Sequence, residues 1–151
     1  MKFSIILVLV LNTTLLFAQT SADSTAIKET TLNYIEGWYE GNAERMAKSL
    51  HPKLAKRAVF ADDQFSEQTA DILIQRTERG GGKKTPKAQQ QKEVTILDIF
   101  EGSAVVKVVA SDWVDYLQIA KLKDQWLIVN VLWEIKPDSY QKFGMKTKVL
   151  N

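Results

Sequence analysis

The chain has 151 residues, no cysteine, one histidine and a formal net charge of +2. A balance so near neutral excludes the strong field expected of a nucleic-acid or anionic-membrane binder, and one His without Cys argues against a nitrogen or sulfur metal site. With no disulfide to draw on, stability must come from packing.

The first 18 residues read as a signal peptide. Lys2 supplies a positive n-region, "FSIILVLVLNTTLLF" an apolar h-region and Leu16-Phe17-Ala18 a cleavage site of the small-residue kind. A membrane anchor would want about 20 apolar residues, and Asn12-Thr13-Thr14 interrupts this run. Export to the periplasm or the exterior is expected, with Gln19 as the first mature residue. No cysteine follows the h-region, which excludes a lipid anchor. The remainder suits one domain, since domains commonly run about 100 to 150 residues. It divides into a polar leader (19–25), a folded domain (26–136) and a C-terminal tail (137–151).

Ile27, Thr31, Tyr34, Ile35 and Trp38 form one stripe of a first helix. Asp23, Ser24 or Thr25 would cap its start, and Gly41 suits a left-handed stop. Asn42 then caps a second helix with Ala43, Met46, Ala47 and Leu50 on one face. Pro52 disfavours helical geometry at His51, so this helix should end there. "KLAKRAVF" fits a short strand or irregular chain equally well. A third helix follows in "SEQTADILIQRTERGGG", with Ser66 as cap, Ala70, Leu73, Ile74 and Thr77 as its face, and three glycines to end it. "GGGKKTPKAQQQ" reads as a mobile, solvated loop whose three lysines lack the interleaved aromatics of a nucleic-acid site.

From Lys92 the period changes to two. "KEVTILDIF", "AVVKVVASD", "WVDYLQIAKL" and "WLIVNVLWEI" read as four strands joined by turns at 101–103 and 123–125 and closed by Pro137. Helices followed by an antiparallel meander mark an α+β domain in which the helices cover one face of a sheet. In the last strand Leu127, Val129, Val131, Trp133 and Ile135 point one way, and Trp126, Ile128, Asn130, Leu132 and Glu134 the other. Neither set is cleanly polar, whereas a sheet with one wet face alternates. The second face therefore needs a cover, and a second copy of the chain in a homodimer is the simplest one.

The order of elements, with "LNYIEGWYEGNAERMAKSLHPKLAKR", "TADILIQRTERGGGKK" and "VTILDIFEGSAVVKVVASDWVDYLQIAKLKDQWLIVNVLWE", resembles the nuclear transport factor 2-like superfamily. Within it the chain resembles the SnoaL-like proteins and the family called putative lumazine-binding. The matching pieces run from about Ala26 to Glu134. The resemblance implies a cone-shaped α+β barrel, three helices packed on a curved antiparallel sheet, open at one end into an apolar pocket and frequently homodimeric through the sheet. It does not imply a single function, because the superfamily holds isomerases, dehydratases, cyclases and pure binding domains.

In the steroid isomerase branch a first-helix tyrosine, matched here by Tyr34, donates to a developing oxyanion. The base of that branch would fall at Ala58, and the nearest acids are Asp62 and Asp63. A pocket or core tyrosine is the plainer reading of Tyr34. His51 is the sole candidate for a histidine base, although a His before Pro at a helix end is more commonly structural. Trp38, Tyr116, Asn130 and Trp133 are expected to line a wall that is otherwise aliphatic, the composition of a small-molecule site. The sequence thus describes an exported, dimeric protein that binds a small apolar or aromatic ligand, with Tyr34, Trp38, His51, Tyr116, Asn130 and Trp133 as ligand-binding candidates. No cofactor, metal, nucleic acid or membrane partner is expected after cleavage. The alternatives are an isomerase- or dehydratase-like enzyme using Tyr34, His51 and an acid from the 62–63 pair, and a structural dimeric module whose pocket is filled by its own side chains.

Overall fold

Ile27, Thr31, Tyr34 and Ile35, four members of the first-helix stripe, are buried, as their spacing demands. They belong to α1 (Lys2–Glu40). The computed structural model describes the backbone of residues 2–59 and 65–144, and the side chains of 21–58 and 65–144. No cap interrupts α1 in the polar leader. Asp23 instead accepts from Lys121 Nζ at 2.8 Å and Trp126 Nε1 at 3.1 Å, tethering the helix to the sheet. Gly41, at φ +62°, ends α1, and the Asn42 side chain caps α2 (Ala43–Ser49) by accepting from the Arg45 amide at 3.0 Å. This helix stops two residues short of His51 because Leu50 already belongs to a strand.

That strand, β1 (Leu50–Val59), settles the ambiguity of "KLAKRAVF". It pairs antiparallel with β2 (Phe65–Gln68), so Ser66 is a strand residue and not a helix cap. Thr69 takes the capping role for α3 (Ala70–Glu78), its Oγ1 accepting from the Ile72 amide at 3.4 Å. Leu73 and Thr77 then face the core. Asp62 and Asp63 lie outside the described residues.

The meander is as expected: β3 (Lys92–Phe100), β4 (Ser103–Ala110), β5 (Trp113–Leu122) and β6 (Gln125–Ile135) pair antiparallel in sequence. Lys123 and Asp124 both take positive φ, the geometry a two-residue hairpin demands. The sheet order is β2-β1-β6-β5-β4-β3. One pairing departs from an all-antiparallel sheet, since β1 runs parallel to β6, with Ala55 opposite Asn130. The helices lie on one face, so the α+β arrangement holds.

A bulge changes which residues of β6 look inward. Gln118 pairs with Asn130 but Ile119 with Ile128, which leaves Val129 as an extra residue. Strict alternation is broken there, as an inserted residue requires. Trp126 and Ile128 are buried before the bulge, and Val131 and Ile135 after it. The two faces assigned by simple alternation are therefore each a mixture. A second bulge at Leu97 in β3 has the same effect on that strand.

Candidate functional site

On the inner face of the sheet lies a cavity of about 430 Å³. Its walls come from separate parts of the chain: Tyr34, Ile35 and Trp38 of α1, Met46 of α2, and Leu73 and Arg76 of α3. The sheet contributes Lys56, Gln68, Trp113, Trp133 and Ile135, and Phe143 of the C-terminal segment reaches in as well. Trp38 meets Trp113 edge to face, with ring centroids 6.2 Å apart. An aromatic, apolar lining with a few polar groups is the common make-up of a small-molecule site.

The polar groups at the wall form one buried network. Asp115 is completely buried and pairs with Lys56, itself only 6% exposed. The Asp115 carboxylate also accepts from Tyr34 Oη at 3.2 Å and from Trp113 Nε1 at 2.6 Å. Lys56 Nζ donates to Tyr34 Oη at 2.7 Å and stands over the Trp133 ring, 5.1 Å from its centroid. Every member thus answers another, the condition on which a charged pair is tolerated in low dielectric. Burial lowers the Lys56 pKa, and the Asp115 charge opposes that shift. Tyr34 is pushed well above the ordinary tyrosine range, first by burial and then by the adjacent carboxylate. Its hydroxyl proton is spent on Asp115 and does not face the cavity.

Of the six residues singled out from sequence, Tyr34, Trp38 and Trp133 meet at the cavity and three do not. His51 stands at the α2–β1 junction, where its Nδ1 accepts from the Lys53 amide at 3.1 Å. Tyr116 is 45% exposed on the opposite face of the sheet, beside Lys107. Asn130 is on that face too, its Nδ2 donating to Gln118 Oε1 at 2.9 Å. Asn130 and Trp133 lie on opposite sides by simple alternation, and the Val129 bulge separates Asn130 from the buried Ile128 as well. Among the described residues no group of three or more His, Asp or Glu side chains is gathered as a metal site needs.

Lys56, Gln68, Arg76 and Asp115 were not foreseen, yet two of them leave a trace in the sequence. Once β1 is known to be a strand, Lys56 shares a face with Leu54 and Ala58, an apolar position held by a lysine. Asp115 likewise falls among Trp113, Leu117 and Ile119. Charged residues of opposite sign at inward positions of two strands are the pattern of a buried pair. Gly81 and Gly82 have a tertiary role besides ending α3: a Cβ at either would come within 2.5 Å of Trp38. The segment assigned to a mobile loop lies against the indole that walls the cavity.

The fold has close counterparts among solved structures. A nuclear transport factor 2-like protein of unknown function from Silicibacter pomeroyi superposes with a TM-score of 0.63 at 15% identity, covering 78% of this chain and 98% of that one. Another, from Methylobacillus flagellatus, gives 0.62 at 21% identity, with 76% and 93% covered. A domain with a cystatin-like fold from Nostoc punctiforme gives 0.53 at 15% identity, with 82% and 83% covered. At these identities the likeness is one of fold. No functionally described protein in a curated collection matches the chain. A family model described as "Putative lumazine-binding" matches residues 22–134, which span α1 from its leader through nearly all of β6. The chain belongs to that family, and its fold is the one seen in the nuclear transport factor 2-like structures.

Proposed function

We propose that this is an exported, non-catalytic protein that binds a small aromatic or apolar molecule in the cavity between α1 and the sheet, and that two copies associate through the outer sheet face. The observation that carries the binding reading is the cavity itself: about 430 Å³ walled by Trp38, Trp113 and Trp133, which their own packing leaves open. A self-filled structural module is disfavoured by that volume. The family description, with its reference to a small heterocycle, is consistent with a ligand of this kind.

Binding is preferred over catalysis because Tyr34, Lys56 and Asp115 satisfy one another. A general acid or base must present its proton, or its lone pair, to the substrate. Here the Tyr34 proton points at Asp115, and His51, the sole histidine, is not among the lining residues. Export rests on the composition of residues 1–18 and would be checked by intact-mass analysis of secreted protein.

The binding reading is tested by titrating the purified protein with a panel of flat bicyclic compounds and following tryptophan emission. The expected result is saturable quenching at one molecule per chain, lost in Trp133→Leu. No change with any compound up to its solubility limit would leave the structural module as the better account.

A further inference from the structure

We propose that the cavity is selective for charge as well as shape, taking a flat aromatic monocarboxylate whose acid group is received by Arg76, Lys56 and Gln68. This deepens the binding reading and rests on it. Among the described residues the lining contains two cations, Lys56 and Arg76, and no carboxylate. The charge of Lys56 is matched by Asp115 immediately behind it. That of Arg76 is not matched: its guanidinium makes no ion pair or side-chain hydrogen bond among the described residues, whereas Arg45 holds Glu36 and Glu40, and Arg57 holds Glu67. Among the described residues the cavity wall therefore carries one positive charge with no acidic partner. A single anionic group balances it, and the planar fork of a guanidinium suits a carboxylate.

Gln68 is an independent indication. It is only 7% exposed, lines the cavity, and its carboxamide makes no hydrogen bond among the described residues. Its amide atoms are not sealed off within the protein but open on the cavity, where water or a ligand can supply the bond. Its position is suggestive, since Gln68 lies directly opposite Lys56 in the β1–β2 ladder and residues so paired project from the same face. Lys56 has three donors and spends two, on Asp115 and Tyr34. The remaining N–H and the Gln68 amide are donors that a ligand oxygen can take up. The tryptophans beside them would hold an aromatic ring.

The test compares 2-naphthoate with its neutral near-isostere 2-naphthamide, both titrated into the purified protein and into Arg76→Gln, by calorimetry and tryptophan emission. Arg76 is on the exposed side of α3, so the substitution should leave the fold intact, which circular dichroism would verify. Naphthoate is expected to bind at least about ten-fold more tightly than naphthamide, the scale of a charge-assisted hydrogen bond. In Arg76→Gln that preference should disappear, the two probes then binding with equal affinity. Equal binding of the two probes, or a preference that survives the substitution, overturns the anion site while the cavity reading stands. Binding of neither probe at millimolar concentration overturns both.

Discussion

Replacing Lys56 with Met removes one half of a buried ion pair and leaves Asp115 with Tyr34 and Trp113 alone. The expected cost is about 3–5 kcal/mol in urea denaturation, because the loss includes the uncompensated carboxylate as well as the attraction. Adding Asp115→Asn should recover part of it, a non-additivity that marks the two as one unit. The pH dependence has two opposing parts. Burial lowers the Lys56 pKa, so its charged form is disfavoured on folding and that handicap is relieved as pH rises towards the ordinary lysine range. The Tyr34 pKa is raised, so its contribution is intact below the unfolded tyrosine value and lost as pH climbs above about 10. Tyr34→Phe should therefore flatten the alkaline arm of a melting-temperature profile, and an arm as steep as that of wild type would contradict the assignment. Tyr34, Trp38 and Trp133 were legible from sequence because large aromatics on an apolar stripe must face inward. Lys56 and Asp115 were not, because their burial makes sense only once β1 and β5 are known to hold them against each other.

At the scale of elements, the bulge at Val129 is the feature that alternation alone could not supply. Because Val129 is the extra residue, deleting it restores simple pairing with Ile128, Val131, Trp133 and Ile135 still inward, so a folded product is expected. Inserting a residue after Val131 would instead turn Trp133 and Ile135 to the outer face, so there a folded product is not expected. Val129→Ala keeps the count and should cost no more than about 1.5 kcal/mol; an insertion variant with a native melting transition would refute the register. The loop after α3 makes a complementary point. Gly81→Ala or Gly82→Ala should destabilise by about 1–3 kcal/mol, since the new methyl meets the Trp38 ring and something must move. Differential scanning calorimetry would read both. The helices, the four-strand meander and its turns were visible in periodicity and turn chemistry. β2 was hidden inside an apparent helix start because four residues are too few to show a period.

For the whole molecule, the outer face of the sheet presents Leu132, 57% exposed, beside Tyr116 across β5 and β6. Around them Lys107, Gln118 and Glu134 also point outward, so this face is more polar than strict alternation of the sequence implied, because the bulge moves Trp126 and Ile128 inside. If two copies meet here, Leu132→Asp should convert a dimer to a monomer in light scattering at micromolar concentration; a wild-type monomer would dispose of the idea. The parallel seam between β1 and β6 has a temporal consequence. The first strand of the sheet finds its inner neighbour only in the last, and β2 alone cannot hold it, as a two-stranded ribbon is marginal in water. A ribosome must therefore release nearly the entire domain before the sheet can close, and contacts so distant in the chain form slowly. For a polypeptide proposed to be threaded across a membrane, that delay puts closure of the sheet after most of the domain has emerged.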